Sequence, residues 1–310
     1  MSSQTPQKYK VAINCLVYNH EPYLRECLEG FVMQQTDFPF VAIVHDDAST
    51  DHSADIIREY AAKYPDIIHP IYETENQWRK ADGSLRKIMN DVIEATGAPY
   101  IALCEGDDYW TDPHKLQKQV DFLDTHPEYS LCFHKVNTLL QATGEITCES
   151  IVKDMQGEST IIELSAGNYI HTPSVVYRNL TKIKQDRAQF GALPAGDYIM
   201  WMLCAKYGKL YKLPDIMAVY RFGSGIWSVK SDFYRQVVWL SVLNQLRMMI
   251  TNNKEALTVI DGQISTIQTM VLATQRESES RYRQLRSSYA YRLGKFLLRP
   301  FSFIRQHISK

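Results

Sequence analysis

The chain has 310 residues, 45% of them apolar and 22% charged, with a formal net charge of −1. That length and apolar share suit one large α/β domain plus extra elements. The near-neutral balance argues against a general nucleic-acid binder, and no apolar window approaches the roughly 18 residues that a membrane-spanning helix requires.

Residues 9–17 form a β-rich apolar run that ends in Tyr18-Asn19-His20-Glu21-Pro22. Pro22 suits the first turn of the helix that Leu24, Cys27, Leu28, Phe31 and Val32 trace at helical spacing. A second strand is expected over 40–45, closed by Asp46-Asp47-Ala48-Ser49-Thr50-Asp51. Asp51 and Ser53 are good caps for a helix over 54–63. A strand over 67–72, a helix over 87–96 stopped by Gly97, and a strand over 100–104 complete the alternation. Strand, helix, strand at this spacing predicts a parallel, doubly wound sheet.

The second half is less regular. A helix is expected over 115–125 and strands over 129–137 and 175–178, the latter after His171-Thr172-Pro173-Ser174. Pro194-Ala195-Gly196-Asp197 opens a helix that Gly208 stops. Short strands over 211–213 and 218–221 lead to a glycine-bearing loop, 222–227. Residues 232–288 carry few breakers and predict one or two long helices, a hairpin or an oligomer contact, with Asn252-Asn253 as the break. From Arg276 onward nine Lys/Arg face two Glu, so this end is at +7 and the remainder at −8. In residues 289–310 aromatics and basic side chains alternate, which describes an interfacial membrane helix kinked at Pro300. A tail packed on the body is the bland alternative. Six scattered cysteines with no CxxC pair predict free thiols and a reducing compartment, and the N-terminus lacks an apolar signal core.

In open α/β sheets ligands bind beyond the carboxyl ends of the strands. That rule gathers Tyr18-Asn19, Asp46-Asp47 and Glu105–Asp108 at one rim. Glu105, Asp107 and Asp108 repel one another unless something positive lies between them, and hard oxygen ligands suit Mg2+ or Mn2+. An acidic turn capping the helix after Pro113 is the alternative. Trp110 stacks on a sugar ring or fills the core. Arg79, Lys80, Arg86 and Lys87 contact phosphate or form a solvated charge run.

Four segments then carry a resemblance: VAINCLVYN at 11–19, DDASTD at 46–51, EGDDYWTDP at 105–113, and Gly196-Asp197 ahead of a helix containing Trp201. Together they resemble an inverting, nucleotide-sugar-dependent glycosyltransferase of family two. Bacterial members that build surface polysaccharides are the most similar. The resemblance implies a GT-A fold over 1–230, a Rossmann-like, mostly parallel central sheet flanked by helices, with an α-helical extension over 231–288 and the basic amphipathic tail 289–310. It implies a UDP-sugar donor, a saccharide or lipid-linked acceptor, and Mn2+ or Mg2+. By the same resemblance Tyr18, Asn19, Asp46, Asp47, Glu105, Asp107 and Arg221 bind the nucleotide sugar. Asp108, then Asp107, holds the metal, and Asp197 is the general base. His171, Thr172 and Trp201 lie on the acceptor side. Two departures stand out: Glu105 replaces the first aspartate of the family's DxD, and Gly196 replaces the acid that commonly precedes the base. The implied location is cytoplasmic, peripheral on the inner face of the plasma membrane. Other readings are a nucleotidyltransferase, or an inactive nucleotide-binding scaffold at the membrane. The sequence VYNHEP after the first strand, in place of a glycine-rich loop, argues against dinucleotide or P-loop chemistry.

Overall fold

A computed structural model describes residues 8–148, 157–190, 195–225 and 230–287. In chain order the elements are β1 (Val11–Val17), α1 (Leu24–Val32), β2 (Phe40–Asp46), α2 (Ser53–Lys63), β3 (Ile68–Tyr72), α3 (Gln77–Lys80), α4 (Ser84–Thr96), β4 (Tyr100–Leu103) and β5 (Tyr109–Trp110). There follow α5 (Lys115–Thr125), β6 (Tyr129–Leu140), β7 (Glu145–Cys148), β8 (Gly157–Ser159), α6 (Ile161–Ser165), β9 (Val176–Arg178), α7 (Thr181–Ala188), α8 (Gly196–Tyr207), β10 (Lys209–Phe222), α9 (Asp232–Met249) and α10 (Lys254–Ser287).

One sheet runs in the order β3-β2-β1-β4-β9-β6-β10-β5. The expected parallel half is present: β2 pairs with β1 and β3, and β1 with β4, all parallel. The sheet is nevertheless mixed. β9 lies antiparallel between β4 and β6, and β5, β7 and β8 are antiparallel additions. The two short strands expected over 211–213 and 218–221 are one strand, β10. Its register shifts near Pro214, where a residue without an N–H breaks the ladder and a bulge absorbs the break.

Alternation along β1 decides what each face does. Val11, Ile13, Cys15 and Val17 enter the core under α1, α2 and α5. Asn14 and Leu16 point to the other face, beneath α4, α7 and α8, where they line a cavity. Gly30 lets α1 reach β5: a Cβ there would stand 2.9 Å from the backbone N of Trp110. Gly30→Ala should therefore destabilise the fold by about 1–3 kcal/mol in chemical denaturation. An unchanged midpoint would show that β5 moves freely and does not anchor the adjoining loop. Trp110 is core. Its indole donates to the Pro173 carbonyl at 2.9 Å and meets Phe31 edge-on.

The helical extension is a hairpin, α9 and α10, broken where Asn252-Asn253 predicted. Ser231 and Asn253 cap the two helices by accepting from the N–H groups of Tyr234 and Ala256. Val242, Leu243, Leu246, Ile260 and Ile264 join the same core as α8, and Tyr198 stacks on Trp239. The boundary at 230 thus separates sequence patterns but not packing units. Beyond Ile267, α10 is largely exposed. The tail reading at 289–310, like Trp227, lies outside the described residues. No described helix is long and apolar enough to cross a membrane. All six cysteines are free, five buried and Cys148 exposed.

Candidate active site

The β1 and β2 loops are stitched together at the rim. Thr50 N–H donates to Asn19 Oδ1 at 2.7 Å, Asn19 N–H to Ser49 Oγ at 2.9 Å, and Glu21 N–H to Asp51 Oδ2 at 3.0 Å. Asn19 takes a left-handed backbone, φ 55°, which asparagine tolerates. Its Oδ1 is part of this stitch. Asp51 also accepts from Ser53 N–H, while the Ser53 hydroxyl accepts from His20 N–H; both residues brace the loop ahead of α2.

Adjacent aspartates part company here. Asp47 accepts from Gln77 N–H at 2.6 Å and Trp78 N–H at 3.0 Å. It holds α3 in place with both oxygens. Asp46 is buried with Oδ1 unpartnered, and burial raises its carboxyl above the ordinary range. Tyr18 accepts from Arg79 Nη2 at 3.0 Å, with the guanidinium over its ring.

The acidic loop after β4 folds tightly because Gly106 has no side chain. A Cβ there would meet His20 Nδ1 at 2.7 Å and Val17 at 3.0 Å. Asp108, 2% exposed, accepts Arg221 N–H at 2.8 Å and so ties the loop to β10. Through this oxygen Asp108 is a strut between the acidic loop and β10. The Arg221 guanidinium donates to the Asp107 carbonyl at 2.8 Å, to Glu26 at 2.6 Å and to Gln141 at 3.2 Å, stacked on Tyr23. It clamps the acidic loop. Asp107 Oδ2 accepts from the Ser224 hydroxyl at 2.8 Å.

Glu105 instead faces a cavity of about 520 Å³ on the α4, α7 and α8 side of the sheet. Asp197, at the start of α8, opens onto the same cavity, with Thr172, Arg79 and Arg86 also in its wall. Asn168 donates to Asp197 Oδ2 at 3.1 Å. Burial raises the Asp197 carboxyl above the ordinary range, opposed by hydrogen bonds from Tyr198 N–H and Asn168. Ala195, just before, sits at φ 62°, a strained conformation for a residue with a Cβ. His171 packs on the Tyr220 ring, and burial lowers its imidazole to about 4. Trp201 is not in the cavity wall. It is fully buried, because one helical step turns it away from Met200, which does line the cavity. Lys80 and Lys87 are in surface ion pairs with Glu75 and Asp91.

Residues 15–141 match the family model described as Glycosyl transferase family 2. Those residues carry a family 2 glycosyl transferase domain. An uncharacterized protein of Mycobacterium tuberculosis is 41% identical over 218 residues, 70% of this chain and 60% of that protein. The match thus spans less than two thirds of that relative's length. The structure of S. aureus TarS 1-349 in complex with UDP-GlcNAc superposes with a TM-score of 0.61 at 19% identity, covering 84% of this chain and 71% of that one. Mannosyltransferase PcManGT from Pyrobaculum calidifontis, in complex with GDP-Man and Mn2+, does so at 0.51 and 16%, over 93% and 84%. Both share the α/β fold of the family 2 domain.

Around the cavity and the acidic loop the carboxylates act on one another. The cavity walls around Glu105, then the charges of Asp107 and Asp197, push its carboxyl up to about 8. Burial, then the charge of Asp107, raises Asp108. Among the described residues no three His, Cys, Asp or Glu converge on one point as a preformed metal cage. Clustered hard oxygens short of a full cage fit a cation that takes one or two carboxylates and completes its shell with phosphate and water. Glu105 is solvent-exposed, and a carboxyl raised from 4.5 to about 8 would hold its proton to higher pH in the folded chain than in the unfolded one. Stability of the ligand-free chain should therefore fall as pH rises through that window. Mn2+ with UDP should flatten the slope in thermal denaturation. A ligand-free midpoint that rises from pH 5 to 8 would contradict this.

Proposed function

We propose that the chain moves a sugar from a UDP-linked donor to a hydroxyl of a saccharide or lipid-linked acceptor in surface-polysaccharide synthesis, by single displacement with inversion. The observation that carries this reading is that Asp197 and Glu105 open onto one cavity, with the basicity of Asp197 raised by burial. A base must align behind the anomeric carbon, and a carboxylate relieved of water accepts the hydroxyl proton more readily. Asn168 orients that carboxylate. Asp107, with Glu105 beside it, would hold Mn2+ or Mg2+, whose charge would neutralise the departing diphosphate. Arg221 and Asp108 keep those acids in place. Tyr18, Arg79 and the rim at Asp46 receive the nucleotide. Neighbours of this fold bound to UDP-GlcNAc, and to GDP-Man with Mn2+, support the donor class and the metal.

Release of UDP from a panel of UDP-sugars, with Mn2+ and with chelator, tests the reading. Metal-dependent UDP release with an inverted product is expected. Absence of turnover together with no thermal shift from any nucleotide would favour the inactive scaffold instead.

A further inference from the structure

Arg187, on α7, is a buried cation that the proposed mechanism does not use. It is 9% exposed and lines the cavity, and its Nη1 has no hydrogen-bond partner among the described residues. Among the described residues no carboxylate pairs with it, although Glu94, Glu105 and Asp197 line the same cavity. Burial and the neighbouring positive charge of Arg86 lower its guanidinium to about 10, and the one group pulling the other way is the Tyr177 phenol. A buried, unpaired guanidinium costs the fold several kcal/mol, and such costs persist where function needs them.

Its position decides what it faces. Arg187 touches the start of α8: a Cβ on Gly196 would stand 3.0 Å from its Nη2. Gly196 directly precedes Asp197, so the guanidinium sits on the base side of the cavity. In an inverting displacement, nucleophile and leaving group lie on opposite faces of the anomeric carbon. A cation beside the base therefore cannot be the counter-charge of the leaving diphosphate. It belongs to the group that brings the hydroxyl. The glycine at 196 brings no side chain that could neutralise the guanidinium there.

We propose that Arg187, with Arg86 adding to the local positive field, binds a phosphate carried by the acceptor, so that the acceptor is a phosphate-bearing molecule and not a neutral sugar. This assignment rests on the glycosyl-transfer reading for which side of the site is which. A guanidinium fork matches phosphate oxygens in a bidentate manner. The apolar wall of Met89, Ile93, Leu180 and Ile183 beside it accepts the carbon skeleton. The phosphate is that of a lipid carrier or of a polymer repeat, and both present the same oxygens.

The test titrates inorganic phosphate, glycerol 1-phosphate and detergent-solubilised farnesyl phosphate into the full chain already saturated with UDP and Mn2+. Wild type is compared with Arg187→Met and Arg187→Lys. Binding in wild type, at least 10-fold weaker in Arg187→Met and partly restored by Lys, is expected, with UDP binding unchanged. Tighter farnesyl phosphate assigns a lipid carrier, and tighter glycerol phosphate a polymer. The ligand-free Arg187→Met chain should also melt higher, since an uncompensated buried charge is gone; a merely structural arginine would give a lower midpoint. Phosphate binding equal in wild type and Arg187→Met overturns the proposal while UDP binding still supports the transferase. Arg187-dependent phosphate binding in a chain that binds no UDP overturns the acceptor assignment along with the transferase reading.

Discussion

Asp197→Asn is expected to lower turnover about 10³-fold while leaving donor binding intact, the scale typical of losing a general base. The amide keeps the shape and the helix position but cannot take a proton. Asn168 donates to the carboxylate at 3.1 Å, so the variant leaves that amide facing a group that is a poorer acceptor, with little strain. Turnover with a true acceptor, together with calorimetry of UDP binding, separates the outcomes. Full rate in Asp197→Asn would remove it as base, and loss of UDP binding would make it a structural residue of α8. The acid limb follows from the same carboxyl. Burial holds it above its ordinary value, and it must be ionised to act, so wild-type rate should climb as pH rises through that raised value.

Asp107→Asn should reduce metal-dependent turnover by roughly 10²–10³, the usual loss when one charge-stabilising contact is removed. The Mn2+ midpoint should rise at least about 10-fold in concentration. The Ser224 hydroxyl can still bond the amide oxygen, so the loop should stay folded. Ligand-free stability should move the other way, because the Asp107 charge pushes up both Glu105 and Asp108. An unchanged Mn2+ midpoint would show that the cation sits elsewhere.

The parallel half of the sheet and its acidic rim were legible because they rest on local rules. Strands buried on both faces read as apolar runs, and polar residues at their carboxyl ends converge whatever the details. The order of the strands beyond β4 was not legible. Antiparallel insertion of β9 depends on pairing partners far apart in sequence, and Pro214 imitated a strand break that the fold absorbs as a bulge.

The sequence alone determined which residue types gather: carboxylates at 46–47 and 105–108, a further one at 197, and arginines to balance them. Only the tertiary structure decided what each one does, because a side chain's role depends on which donors reach it. Asp46 and Asp47 differ by one position, yet Asp47 is consumed by two backbone N–H groups and Asp46 is left with an unpartnered oxygen. Arg221 and Arg187 look equally available in the sequence. One is spent on Glu26, Gln141 and a carbonyl, while the other is buried in the cavity wall with its Nη1 unpartnered among the described residues. The helix containing Arg187, TKIKQDRA, is mostly polar. Packing buries its Ile183–Arg187 edge against α8, and no local pattern carries that, because the desolvation comes from residues that the chain supplies elsewhere.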